Sequence, residues 1–296
     1  MSAEPVPDLG GRKPAPKPGF YRDVPFDEYA SWDAVNSHIL TGLARGTPAH
    51  VRHEMLHGGQ TPTESLALGW LLHLAVLEPE RFEAGVVVPP KVDRRTKEGK
   101  ATWERFQAGN VGKELVDYGT HAKVLAMRAA LLAHESAGTF LRSKGANEVS
   151  LVWEEPEVGV VCKARIDRAA YLNEWPIIGD VKTARSAGRR SFERAVNDFG
   201  YHLQAQHYLS GLQRLAPIAD GQPFRRFCFF VVETEAPYCV AVFELDETAL
   251  AQAEQDRQRH LRTWRRCVET GAWPAYAPGV ELISLPAWAL KSWGIE

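Results

Sequence analysis

Cysteine is scarce and scattered in this chain: Cys162, Cys228, Cys239 and Cys267 are the four present, and no two form a Cys-x-x-Cys pair. That spacing argues against a zinc ribbon and a disulfide framework, and predicts reduced, mostly buried thiols. Long apolar runs are also missing, so no segment reads as a membrane span, and the first residues lack the charged-then-apolar pattern of a signal peptide. The expectation is a soluble cytoplasmic protein. An excess of one charge sign is absent as well. The formal net charge is −2, without the global basic signature common in non-specific nucleic-acid binders, so a polyanion would have to be held by local charge. What is present, 45% hydrophobic residues over 296 positions, suffices to bury a full core.

Residues 1–18 are rich in proline, glycine and lysine, with little to bury, and read as a disordered tail. From residue 19 to 145 the pattern is mainly helical. Ser37 to Leu43, Pro48 to Leu56, Thr63 to Leu77, Lys97 to Ala108 and Tyr118 to Ala133 have helical apolar spacing, with Pro48 and Thr63 placed at helix starts. From residue 146 to 296 strand patterns take over. Glu148 to Trp153, Val158 to Arg168, Pro176 to Thr183, Arg226 to Glu233 and Tyr238 to Glu244 are predicted strands. A helix from Ser191 to Arg214 interrupts them, and another from Glu247 to Glu269 follows. The fold class is therefore α/β, a mixed central sheet flanked by helices with an N-terminal helical portion.

Two predicted strands carry the chemistry. In Val158 to Arg168, alternation puts Val161, Lys163, Arg165 and Asp167 on one face and Cys162, Ala164 and Ile166 on the other. After a turn at Asn173 and Glu174, the second strand places Asp180 and Lys182 together on one face. A hairpin of the two brings both carboxylates and the ammonium together. Hard divalent cations prefer such carboxylate oxygens and keep positions open for water and phosphate, while an ammonium can orient a water or stabilise a developing oxyanion. By itself Asp180-x-Lys182 also fits a surface ion pair on an exposed strand edge. In the following helix Gln204 and Tyr208 are four apart and Tyr201 lies three before Gln204, a polar ridge able to hydrogen-bond phosphate, water or a nucleobase.

The order Glu148-Val149-Ser150-Leu151-Val152-Trp153, Gly159 to Asp167, Asp180-Val181-Lys182-Thr183 and Tyr201-His202-Leu203-Gln204 with Tyr208 resembles the PD-(D/E)xK nuclease superfamily. Within it, the chain resembles the RecE-type exonucleases. Trp273-Pro274-Ala275 and Leu285-Pro286-Ala287-Trp288 are also similar, and the likeness implies a single nuclease domain over residues 19–296. It departs from the superfamily name at Ile166, where proline is usual, and at Asp180, where glutamate is commoner. The resemblance makes Asp167 and Asp180 metal ligands with the Val181 carbonyl, Lys182 the catalytic lysine, and Gln204 and Tyr208 neighbours of the scissile phosphate. Leu68-Gly69-Trp70-Leu71-Leu72-His73 resembles the family's upstream helix, whose histidine ligates metal, and Glu148 an acidic residue near the site. From the residues alone, His73 equally fits a hydrogen-bonded core histidine and Glu148 a solvated strand end.

Local positive charge follows the second strand. Arg185, Arg189, Arg190 and Arg194, together with Arg165 and Tyr201, are candidate DNA contacts, and Lys91, Arg94, Arg95, Lys97 and Lys100 form a second basic run in a loop or helix start. The resemblance implies a Mg²⁺- or Mn²⁺-dependent 5′-to-3′ exodeoxyribonuclease on linear double-stranded DNA, yielding 5′-phosphorylated mononucleotides and 3′ single-stranded tails. It further implies a RecT-like single-strand annealing partner, a ring-shaped homo-oligomer with a tetramer as the leading guess, and a phage or prophage origin. No iron–sulfur cluster is expected, because the clustered C-terminal cysteines of cluster-bearing relatives are missing. The alternatives are a Cas4-like or helicase-associated nuclease of single strands or flaps, and a DNA-binding module that does not use its catalytic residues.

Overall fold

The computed structural model describes residues 11–58, 63–172, 175–215 and 226–286. Two short strands, β1 (Lys13–Pro14) and β2 (Gly19–Tyr21), precede helix α1 (Phe26–Ser31) and strand β3 (Trp32–Asp33). Strand β1 pairs with β3 in parallel, and Ala15 packs against Tyr29, Trp32 and Val152. Backbone pairing and aromatic contact thus engage residues inside the segment expected to be disordered. Residues 1–10 lie outside the described residues, as do the expected turn at Asn173 and Glu174 and the Ala287-Trp288 end of the tail motif.

The helical portion continues with α2 (Ser37–Arg45), α3 (Pro48–His57), α4 (Glu64–Leu77) and α5 (Pro79–Gly85). Next come β4 (Val86–Val87), α6 (Lys97–Gly109), β5 (Glu114–Leu115), α7 (Tyr118–Ala133) and α8 (Glu135–Arg142). Most of the predicted starts are built by side chains that accept otherwise unpaired first-turn N–H groups. Asn36 accepts from Ile39 at 3.0 Å, Thr63 from Leu66 at 3.3 Å, Thr96 from Gly99 at 3.0 Å and Asp117 from Thr120 at 3.0 Å. Helices α5 and α8, of seven and eight residues, are too short to show a helical period in the sequence.

The second half contains β6 (Gly145–Glu155), β7 (Val160–Leu172), β8 (Trp175–Ala184), α9 (Arg189–Phe199), α10 (Tyr201–Leu215), β9 (Arg226–Glu233), β10 (Val240–Glu244) and α11 (Glu247–Thr270). The sheet order is β10-β9-β8-β7-β6-β2. Within this sheet, among the described residues, only β8 and β9 pair in parallel, and their crossover carries α9 and α10, as a parallel pair requires. The expected single helix from Ser191 to Arg214 is two helices. Gly200 adopts φ 70° between them, a left-handed conformation that terminates α9 and is costly for other residues. None of the described helices is long and apolar enough to cross a membrane.

Helices cover both sheet faces. One core joins Ile39, Leu40, Leu151, Trp153, Cys162, Ile166, Ala205 and Leu261; the other joins Leu72, Val124, Met127, Phe140, Ile177, Val181 and Phe230. The second core reaches the residue beside Asp180. Phe140 and Phe230 stack with centroids 4.6 Å apart, and a β-carbon at Gly179 would meet Phe140 Cε1 at 2.2 Å. Gly179→Ala is therefore expected to cost about 1–3 kcal/mol through overpacking, read as a lower urea midpoint at unchanged slope. An unchanged midpoint would show that the two rings yield.

Candidate active site

The side-chain alternation of β6 and β7 reverses at one level of the sheet. Cys162, Ala164 and Ile166 enter the first core, yet Ala170 enters the second and Arg168 Nε donates to the Phe140 carbonyl. The partner strand does the same. Val149, Leu151 and Trp153 face the first core, whereas Asn147 donates to the Leu77 carbonyl of α4. The reversals occur at Asp167 and Glu148, between the paired positions Asn147–Arg168 and Val149–Ile166. Glu148 has φ 53°, an uncommon conformation for a non-glycine residue and one that concentrates at functional sites.

At the same level β7 and β8 part. Their ladder ends at the Arg168–Gly179 pair. The Val181 N–H donates to Asp167 Oδ2 at 3.0 Å, so a carboxylate replaces the backbone acceptor that a continuing strand would offer. Val35 takes up the edge of β7 that β8 leaves, through Val35 N to the Val161 carbonyl at 2.9 Å and Lys163 N to the Val35 carbonyl at 2.8 Å. The site lies in this fork.

His73 reaches the fork from α4. Its Nε2 is 2.6 Å from the Val181 carbonyl and its Nδ1 is 3.4 Å from Asp167 Oδ2. Ligand atoms of His73, Glu148 and Asp167 all lie within 4.8 Å of one another, a grouping that could hold a metal ion. Two carboxylates and an imidazole suit Mn²⁺ and accommodate Mg²⁺. An imidazole ligates only through an unprotonated nitrogen, so a cation would take the place of one of the two His73 contacts. Burial pushes the Asp167 carboxyl up to about 7, with His73 acting to lower it and Asp180 to raise it.

Asp180 stands outside that group of three and faces α10. Its side chain is 2% exposed, and Oδ2 lies 2.6 Å from Lys182 Nζ without a donor aligned for a hydrogen bond. Gln204 joins both: its Nε2 donates to Asp180 Oδ1 at 2.7 Å and its Oε1 accepts from Lys182 Nζ at 3.1 Å. Burial works to lower the Lys182 pKa, but Asp180, Asp167 and Tyr201 more than offset it and hold the ammonium charged. Lys182 Nζ also sits 4.7 Å from the Tyr201 ring centroid. Tyr208 is buried, and burial with the fields of Asp167 and Asp180 pushes its phenol up to about 12, so it stays a proton donor. The buried, unaligned Asp180 oxygen and the hard donor set beside it fit a divalent cation.

The basic residues divide. Arg185, Arg189, Arg190 and Arg194 are exposed, with Arg189 paired to Glu193 at 2.9 Å. Arg165 is turned inward, with Nε on Glu148 Oε2 at 2.5 Å and Nη1 on the Val24 carbonyl at 2.8 Å. In the second run Arg95 pairs with Asp93 at 3.0 Å, Lys91 covers Tyr118 and Arg94 covers Trp103, so these charges are engaged within their own region. The inward turn of Arg165 has no sequence signal, because one of its partners is a backbone carbonyl more than a hundred residues away.

Residues 41–286 match a family described as a PDDEXK-like domain of unknown function (DUF3799). A crystal structure from Eubacterium rectale named "Putative exonuclease" aligns over 92% of this chain and 98% of its own, at 12% identity and a TM-score of 0.55, a likeness of fold. A structure named SSO0001 aligns over 71% of this chain and 95% of its own, at 15% identity and a TM-score of 0.28, too low to support an argument. No curated protein matches the chain.

The raised Asp167 carboxyl gives a pH dependence with a definite sign. Its protonated form is favoured in the ion-free fold, so that fold loses stability as pH rises from the ordinary carboxylate value of 3.8 to about 7. A cation must displace the proton. Mn²⁺ affinity measured by calorimetry should therefore fall about tenfold per pH unit below about 7, with proton release at uptake, and Asp167→Asn should remove most of this dependence. Affinity flat through that range in the parent chain would contradict the arrangement.

Proposed function

Since the chain belongs to the PDDEXK-like domain family, we propose that it is a metal-dependent nuclease, and specifically an exodeoxyribonuclease that degrades linear duplex DNA from 5′ ends. The observation that carries this reading is the meeting of His73, Glu148 and Asp167 within 4.8 Å beside the Asp180–Lys182–Gln204 network. His73, Glu148 and Asp167 would hold Mg²⁺ or Mn²⁺, with Asp180 and the Val181 carbonyl adjoining. The ion supplies Lewis-acid charge that makes water a better nucleophile and draws charge from phosphoryl oxygens.

The chain's own residues supply orientation. Gln204 fixes Lys182 and Asp180 relative to each other, so the ammonium is aimed by a hydrogen bond to Gln204 and an ion pair with Asp180 and not left on a mobile stem. Lys182 holds the attacking water and offsets charge developing on the phosphoryl oxygens. Water attacks phosphorus in line, the bond to the 3′ oxygen breaks, and the products are a 5′-phosphate and a 3′-hydroxyl. Tyr208 donates to the phosphate. Arg185, Arg189, Arg190 and Arg194 bind the backbone, which a formal net charge of −2 leaves to local clusters.

The order of motifs along the chain supports the RecE-type assignment. On that assignment the protein works in the cytoplasm of a phage- or prophage-carrying bacterium as a ring-shaped homo-oligomer, a tetramer in the simplest case. It leaves 3′ tails for a RecT-like annealing protein.

Linear duplex labelled at either the 5′ or the 3′ end, with a covalently closed circle as control, tests the assignment. Early release of 5′-labelled mononucleotide with an intact circle is expected. Cutting of the circle, or activity confined to single strands, would reject the duplex exonuclease. Asp180→Ala should abolish Mg²⁺-dependent cleavage with the fold retained by circular dichroism, and full activity in that variant would remove the proposal. Arg190→Ala should weaken DNA association and reduce the salt slope by about one; a slope equal to the parent's would return this arginine to plain surface.

A further inference from the structure

The family match begins at residue 41, yet residues before it are bonded to β7 through two side chains, one of which also reaches the site. Lys163 Nζ donates to three carbonyls at the end of α1, those of Tyr29 at 2.8 Å, Ala30 at 3.1 Å and Trp32 at 2.7 Å. Three acceptors match the three N–H groups of an ammonium, which also caps the negative end of the helix. Two residues on, Arg165 Nη1 donates to the Val24 carbonyl at 2.8 Å while its Nε donates to Glu148 Oε2 at 2.5 Å. The buried Tyr29 ring lies under both cations, at 4.9 and 5.9 Å.

Arg165 therefore joins two things the sequence keeps far apart: the backbone of the N-terminal segment and a carboxylate of the candidate metal group. Glu148 needs such a partner. Its left-handed backbone, φ 53°, is costly, and its carboxylate adds to the unfavourable field on Asp167. The guanidinium fork can satisfy an acid and a carbonyl at once in a fixed plane, which a lysine ammonium on a flexible stem does not reproduce. Because Arg165 engages one oxygen of Glu148, the other is left for a cation.

We propose that Arg165 is a positioning residue for the metal site, holding Glu148 as a ligand from an anchor on the N-terminal segment at Val24. The proposal rests on the metal-dependent nuclease reading. It assigns Arg165 to the site's interior and not to DNA, and it makes the segment preceding the family match a working wall of the site. A group that orients a ligand in this way is commonly worth 10–100-fold in metal affinity.

The test is a double-mutant cycle on Mn²⁺ binding by calorimetry, using the full chain without DNA. The proteins are the parent, Arg165→Lys, Glu148→Ala and the pair combined. Arg165→Lys, which keeps the charge, is expected to weaken Mn²⁺ binding about tenfold, and the double variant to bind no more weakly than Glu148→Ala alone. Melting of the ion-free proteins separates this loss from unfolding, and Arg165→Gln serves as a second probe should the lysine variant melt early. Additive effects of the two substitutions, or unchanged Mn²⁺ affinity in the Arg165 variants, would overturn the positioning role while leaving the nuclease reading standing. A parent chain that binds no Mn²⁺ would overturn both.

Discussion

The hydrogen-bond ladder between β7 and β8 ends at Arg168 and Gly179, and that parting conditions the rest of the catalytic face. Where two strands separate, the Val181 N–H needs an acceptor, and Asp167 provides it. A carboxylate committed to this task is drawn into a buried fork. Its pKa rises to about 7, and every neighbouring group is then constrained by how it deals with negative charge in a poorly solvated place.

Three acids meet there, Glu148, Asp167 and Asp180, against two permanent cations, Lys182 and Arg165. Counted formally, the cluster carries one uncompensated negative charge, before His73 is considered. Lys182 is already committed to Asp180 and Gln204, and Arg165 to Glu148 and Val24. A divalent cation among His73, Glu148 and Asp167 would offset the burial, and the smaller repulsion from Asp180 and Glu148, that favour the protonated Asp167 carboxyl. This excess of negative charge, more than any single ligand, suits the cluster to a divalent cation and so to metal-dependent nuclease chemistry.

Much of this was legible in local pattern. The helices from Ser37, Pro48, Lys97 and Tyr118 and the five long strands are found where apolar spacing and capping residues put them, because those signals act over a few residues. The Asp180-x-Lys182 pair shares a face for the same reason. Gly200 lies inside an otherwise continuous helical pattern, and its left-handed φ breaks α9 from α10, the helix that carries Gln204 and Tyr208. The alternation along β7 holds through Ile166, and the reversal at Asp167 accompanies one in β6 at Glu148 that a single strand cannot display.

What the sequence determined by itself was the element order, the α/β class and the pool of candidate acids, bases and amides, all properties of near neighbours along the chain. Tertiary structure alone decided which candidates meet. It joined Gln204 to the Asp180–Lys182 pair and grouped Glu148 with His73 and Asp167. It also turned Arg165 inward to a carbonyl at Val24. The physical reason is that these contacts depend on where the β-strands part and on backbone groups that every residue carries, so no residue type or spacing could announce them.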